Sequence, residues 1–347
     1  MKKKVLALSV LAAFSSQAGA FRFDTGDDWD IRWDNSVKAN AMVRAEKQNR
    51  DVYAAAGSTG PLADDSDLSV DRGDFISTRF DVLSELDVIW RTDFGFRVSG
   101  SAWYDPMYDN SSNRTKGPLQ NGFPYANSTW GALSVQPNDY TDAAQDLHYA
   151  GGELLDAFVF ANWDMGDMAA NIRAGRHTLY WGQSLLAGGA ILGIAGSMAA
   201  LDISKAYSVP GSEAKELFMP NNKVSTVVQI TDNLTLNAFY AFEHLVHRFP
   251  EEGTYFNPAE ILTEDSEFVT LAPAVANEFR SGLRVRDDKY NDSGEWGVNL
   301  QYTIEPWGLE TSLVYISATD RSVSGLYGST TPGQVSPEEF GKFREKS

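Results

Sequence analysis

The stretch Trp29-Asp30-Ile31-Arg32-Trp33-Asp34-Asn35-Ser36-Val37-Lys38-Ala39-Asn40-Ala41-Met42-Val43-Arg44-Ala45 decides the fold. Its odd-numbered positions are apolar apart from Asn35, and its even-numbered positions are polar apart from Met42. A helix would scatter these two sets around its circumference. A strand separates them, because successive Cβ atoms point to opposite sides. The run is also far longer than the five or six residues of an ordinary globular strand.

The same period of two returns along the chain. Phe80, Val82, Leu86, Val88 and Trp90 alternate with Asp81, Glu85 and Asp87, and Phe94, Phe96, Val98 and Tyr104 with Arg97, Ser99 and Ser101. Leu234, Leu236, Ala238, Tyr240 and Phe242 face away from Thr235, Asn237 and Glu243, and Trp296, Val298, Leu300 and Tyr302 from Asn299, Gln301 and Thr303. Nine strands are predicted in all: 29–45, 77–90, 94–105, 154–163, 168–181, 223–230, 234–243, 295–304 and 309–318. Tight links at Arg91–Asp93, Asp164–Asp167, Thr231–Asn233 and Glu305–Gly308 alternate with long stretches near 46–76, 106–153, 187–222 and 244–294. Phe279–Arg286 has a strand-like pattern, but parity assigns it to the last of these loops.

A soluble β-sandwich also alternates, but it fills its core with aliphatic residues from short strands. Here Trp, Tyr and Phe gather near strand ends, as in aromatic girdles, and the strands are long enough for a tilted membrane crossing. The expected fold class is therefore all-β, an antiparallel transmembrane β-barrel with short turns on one side and long loops on the other. Single-chain bacterial barrels have an even strand number. Nine strands followed by a Gly/Ser/Pro-rich stretch from Ser322 predict the N-terminal part of a larger barrel over 21–321, with 322–347 an outer loop or truncated tail.

Met1-Lys2-Lys3-Lys4, the apolar run Val5–Phe14 and Ala18-Gly19-Ala20 have the order of a secretory signal peptide. Residues 1–20 are thus expected to direct export and be removed. Formal net charge is -18, which repels phosphate backbones and argues against nucleic-acid partners. There is no cysteine, so disulfides, thiolate metal sites and cysteine nucleophiles are excluded. HExxH, GxSxG, Walker and GxGxxG patterns do not occur, and no cofactor is expected. A hydrolase assembled from dispersed Ser, His and Asp stays open.

Leu185–Leu201 carries no charge but holds four glycines, unlike a membrane helix. Ser212–Phe218 reads as a short helix capped by Ser212 and stopped before Pro220. The segment 187–222 is expected to fold into or over the lumen as a plug. Lumen and selectivity candidates are Arg173, Arg176, His177, Trp181 and Gln183, with Asp202, Lys205, Glu213, Lys215 and Glu216 on the plug. Arg173 and His177 share the wet face; they set selectivity or pair with acids such as Asp81 and Glu85. Asp64, Asp65 and Asp67 are weak cation candidates that lack the EF-hand glycine and terminal glutamate. His244 and His247 approach one another as a metal pair only if helical.

Arg173-Ala174-Gly175-Arg176-His177, Trp181-Gly182-Gln183-Ser184, Pro210–Pro220, Asn233–Tyr240 and Gly253-Thr254-Tyr255-Phe256 together resemble the outer-membrane family named domain of unknown function 1302. The resemblance implies an outer-membrane barrel of a Gram-negative bacterium, in contact with lipids and lipopolysaccharide. It implies movement of hydrophobic small molecules, lipid-, steroid- or terpene-like, alongside export or catabolic systems. It brings no catalytic residues. A channel or transporter is the expected function; a docking barrel for an export or periplasmic partner protein, or an outer-membrane lipid hydrolase, are the alternatives.

Overall fold

The computed structural model describes residues 10–15, 19–48, 69–109, 140, 142–166, 168–181, 198–251, 253–257, 268–275, 278–283, 294–319 and 321. All nine anticipated strands are present, and each named strand pairs antiparallel with its neighbours. They are β3 (Trp29–Val43), β4 (Phe75–Trp90), β5 (Phe94–Tyr104), β6 (Ala150–Met165), β7 (Met168–His177), β10 (Asn221–Thr231), β11 (Leu234–Ala241), β14 (Glu295–Ile304) and β15 (Leu309–Ser317). Each hydrogen-bonds to the next in that order, a plain up-and-down meander. Two further strands, β1 (Val10–Ser15) and β2 (Gly19–Phe23), line the free edge of β3, opposite Lys38–Val43 and Ile31–Asn35 respectively.

Two small sheets lie off this path. β8 (Ala200–Leu201) pairs with β9 (Phe218–Met219), and β12 (Phe268–Val275) pairs with β13 (Glu278–Leu283). The second hairpin takes up most of the 279–286 stretch assigned to a loop, as a strand that does not join the main sheet. Two short helices, α1 (Ile203–Ser208) and α2 (Ala214–Leu217), separate β8 from β9. No described helix is long and apolar enough to cross a membrane.

The tight links turn as their residues dictate. Asp93 N–H donates to the Trp90 carbonyl at 3.0 Å, and both Arg91 and Thr92 take positive φ, as in the primed turns that match strand twist. Side chains make this affordable without glycine: Arg91 pairs with Asp28 at 2.8 Å and lies over the Trp90 ring at 4.9 Å.

The two faces of the sheet are sharply unequal, and the apolar one is exposed. Trp33 is 44% accessible, Val159 58% and Leu313 75%, with Val37, Val82, Val98 and Leu300 also open. Aromatic residues mark both ends of this face. Trp29, Trp90 and Phe94 touch in sequence at the tight-turn end, while Tyr240–Phe242 and Trp296–Tyr315 pairs stand at the long-loop end. The opposite face carries the buried polar residues, among them Asn40, Arg79, Asp81, Ser99, Lys223, Asn237 and Asn299.

On that polar face aromatic rings sit over glycines of the paired strand. Phe160 covers Gly95, Trp103 covers Gly151, and Phe239 covers Gly297, each pair being direct partners in register. A Cβ at Gly297 would lie 2.6 Å from the Phe239 ring and 3.1 Å from that of Trp181. Gly297→Val is expected to displace both rings and lower unfolding stability by about 1–3 kcal/mol, measured by denaturant or thermal unfolding. Wild-type stability in that variant would disprove the packing role.

Candidate functional site

The polar face and the chain packed on it form the candidate site. Strand register sets up ion pairs along the wall: Asp87 holds Arg97 through two bonds of 2.6 and 2.7 Å, and Arg79 meets Asp81 at 2.9 Å. Asn162 with Asn171, and Asn237 with Gln301, bridge neighbouring strands. A bulge in β6 opposite Val98–Gly100 brings both Glu153 and Asp156 to this face, although their spacing would separate them on a regular strand.

Residues 198–220 lie against this wall. Met198–Ser204 are buried almost completely. Asp202 caps α1 by accepting the Lys205 N–H at 2.7 Å, and its other carboxylate oxygen takes Arg248 at 2.8 Å. Arg248 also reaches Glu153 of β6 at 3.1 Å, so one guanidinium ties segment, loop and wall. Lower down, Lys38 of β3 binds Glu216 at 2.6 Å and the Gly211 carbonyl at 3.2 Å, while Lys215 binds Glu85 of β4 at 2.9 Å. Glu85 stands ten residues along β4 from its loop end, so α2 hangs well down the strands.

The loops at this end are knitted together. Ile203 and Ser204 N–H donate to the Arg248 carbonyl, Arg248 N–H to Leu201, and Leu201 N–H to His247 Nδ1 at 3.0 Å. His244 Nδ1 and Arg321 converge on Glu295, at 2.7 and 2.5 Å, which fastens the chain beyond β15 to the start of β14. The two histidines thus serve separate loop contacts. A crevice with room for about one water molecule opens between Arg79, Trp103, Glu153, Asp202, Lys205 and Arg248.

The anticipated residues fall into distinct places. Asp202, Lys205, Lys215 and Glu216 belong to the packed segment, and Glu213 beside them is exposed. Trp181 is buried edge-on against Phe239, with Met198, Val314 and Ile316, an apolar patch on an otherwise polar wall. Arg173 lies over the Phe158 ring at 5.7 Å; neither Asp81 nor Glu85 is its partner, those acids being held by Arg79 and Lys215. Arg176 must be removed from the lumen set: its register partners Ala157 and Asn222 lie on the other face, where it pairs with Glu243 at 3.2 Å. Ser212 is not the helix cap; its hydroxyl donates to Val209, and Glu216 instead reaches back to the Glu213 N–H at 2.9 Å, half of a capping box. Gln183, Asp64, Asp65 and Asp67 lie outside the described residues.

Sequence reasoning missed Glu153, Arg248, His148, Glu295 and Arg321. Lys38 was legible as a wet-face residue, but nothing local announced its partner.

His177 Nδ1 faces the Gly175 carbonyl at 3.0 Å, so this nitrogen carries the proton and Nε2 accepts from the Ser225 hydroxyl at 2.7 Å. The pair has the spacing of a nucleophile and base, but a carbonyl stands where a triad has its carboxylate. Arg173 and Lys223 flank the ring in register, and like charges oppose the imidazolium that proton abstraction would create.

The chain matches the family described as Protein of unknown function (DUF1302) over residues 1–341. It belongs to that family. No curated protein and no solved structure matches the chain. The DUF1302 match spans wall, packed segment and loops alike, so the site described is contained within the family region.

His148, at the loop end, is buried against Tyr108 with ring centroids 4.8 Å apart. Burial, aided by the Arg79 charge, pushes its pKa down from 6.5 to about 3. Between those values the unfolded chain takes up a proton that the folded chain refuses, so stability falls as pH drops from about 6.5 toward about 3 and is flat above. His148→Phe keeps the ring stack and is expected to weaken this acid sensitivity, read as the thermal unfolding midpoint from pH 7 to pH 4. An unchanged pH slope would refute the assignment.

Proposed function

We propose that this chain contributes the wall of an outer-membrane β-barrel that admits hydrophobic or poorly soluble small molecules, with residues 198–220 as the constriction. On this reading residues 1–20 serve export through the inner membrane to a Gram-negative outer membrane.

One observation carries the reading: the apolar face is exposed while the polar face is buried. Soluble proteins rarely leave a contiguous apolar patch beyond a few hundred Å², and each exposed Å² forgoes about 25 cal/mol of burial free energy. Lipid supplies the missing cover. Aromatic residues at both strand ends then meet the two interfaces, and aliphatic residues such as Val37, Val82 and Leu313 meet the hydrocarbon. Polar side chains on the other face suit a lumen.

The constriction is held by charge. Glu216→Gln leaves Lys38 without its acid and should weaken docking of α2 by about 1–3 kcal/mol; Lys38→Met combined with Glu216→Gln removes the pair without an orphan. Both variants are expected to admit larger solutes in proteoliposome swelling assays and to be cut faster by trypsin at Lys205 and Lys215. Absence of permeation by any solute, in wild type and in the double variant, would overturn the passage role.

A further inference from the structure

The structure assigns to Arg173 and Lys223 a recognition site for the carboxylate of an amphipathic acid, whose apolar body lies along Phe158. The inference deepens the proposed passage role and rests on the polar face being the solute path.

Register places the two cations together. Ser225 is the direct partner of Arg173, and Lys223 that of Gly175, so Arg173 and Lys223 are diagonal neighbours on one face, with Cα atoms about 7–8 Å apart. They differ from the other strand-borne cations of this face. Arg32 has Asp30, Lys38 has Glu216, Arg79 has Asp81 and Arg97 has Asp87. Among the described residues, neither Arg173 nor Lys223 has a carboxylate within ion-pair distance, and each lies over an aromatic ring instead, Phe158 at 5.7 Å and Phe239 at 5.9 Å.

Three acids nearby are committed. Asp87 holds Arg97, Glu153 holds Arg248, and Glu295 holds Arg321. Asp156 takes the Thr178 amide and acts on Arg173 and Lys223 from beyond ion-pair distance, and the Ser225 hydroxyl is turned to His177. Lys223 is only 1% accessible and has no carboxylate within ion-pair distance, Asp156 and Glu295 acting on it only from further away. That arrangement is costly, and in a chain with 47 acidic residues against 29 basic ones it does not arise from a shortage of acids. A ligand that brings its own negative charge resolves the imbalance.

The chemistry narrows the ligand. A guanidinium fork over a ring receives a planar carboxylate through two bonds, and Arg173 is the exposed member able to take it. Lys223 adds positive potential behind it. The half-buried Phe158 ring beside Arg173 suits an apolar body rather than a sugar.

The test uses the full chain in detergent, with displacement of a fluorescent long-chain fatty acid by decanoate or by decanol. Decanoate is expected to compete about tenfold or more better than decanol, the worth of a charge-assisted bond. Arg173→Gln should erase that preference while leaving decanol unchanged, and Arg173→Lys should keep part of it. Lys223→Met should weaken decanoate yet raise the unfolding midpoint, because it removes an unpaired buried charge; this gain also shows that the variant folds. Equal competition by acid and alcohol would overturn the site while leaving the channel reading intact, as would equal weakening of both by Arg173→Gln or a lowered midpoint in Lys223→Met. A carboxylate preference without permeation would uphold the site and remove the passage role.

Discussion

Backbone and side-chain polarity must be satisfied on the buried face of a sheet whose exposed face is apolar, and this constraint organises the molecule. In an ordinary domain the apolar side chains of a strand disappear into the core and the polar ones meet water. Here Asn299 and Lys223 are covered and Leu313 is open. The hydrogen-bond ladders satisfy the backbone from β3 to β15. Side chains of the inner face must then satisfy one another across strands, which is why its residues recur as pairs: Arg97 with Asp87, Asn171 with Asn162, Gln301 with Asn237.

The packed segment follows from the same constraint. A wall rich in amides and charges offers little apolar area for docking, so residues 198–220 are held largely by ion pairs and capping interactions, with a small apolar contact through Met198. Each half-buried pair contributes modestly, and the network as a whole fixes position more than it adds stability. Arg248 illustrates the economy: its side chain joins Asp202 to Glu153, while its backbone accepts from Ile203 and Ser204. Contacts of this kind are directional and separable, unlike a hydrophobic core. A segment so held has a defined docked state and a small number of bonds to break in leaving it.

The strands were legible because their signal is local: a period of two needs only neighbouring residues, and Trp29–Val43 or Glu295–Ile304 state it without help from the rest of the chain. The tight links were legible for the same reason, whereas parity placed Phe279–Arg286 in a loop where the chain forms most of a strand. The site was legible only in part. Arg176 was grouped with Arg173 by proximity, although alternation alone places it on the opposite side, so that correction was available from the sequence. The joint presence of Glu153 and Asp156 on one face was not, because it depends on a bulge that no single strand announces. The cap of α2 was a contest between Ser212 and Glu216, decided by Lys38, a residue far away in sequence that fixes the Glu216 carboxylate. Long-range partners such as Arg321 for Glu295 leave no local trace at all.

The edge of β3 poses a further physical problem. Val10–Ser15 pairs with Lys38–Val43, yet these residues belong to the stretch that reads as an export signal. Pairing and removal exclude one another. Were 1–20 cleaved and the sheet set in lipid, as the proposed function requires, the hydrogen-bonding groups of Lys38–Val43 would lose their partner, and each unsatisfied group would cost several kcal/mol. Only another strand can supply them, because side chains on this part of β3 point through the sheet faces and not along its plane. The same stretch includes Lys38, which anchors Glu216. On the proposed reading, whatever strand completes the β3 edge therefore also steadies the lysine that holds residues 198–220, which couples closure of the wall to docking of the segment.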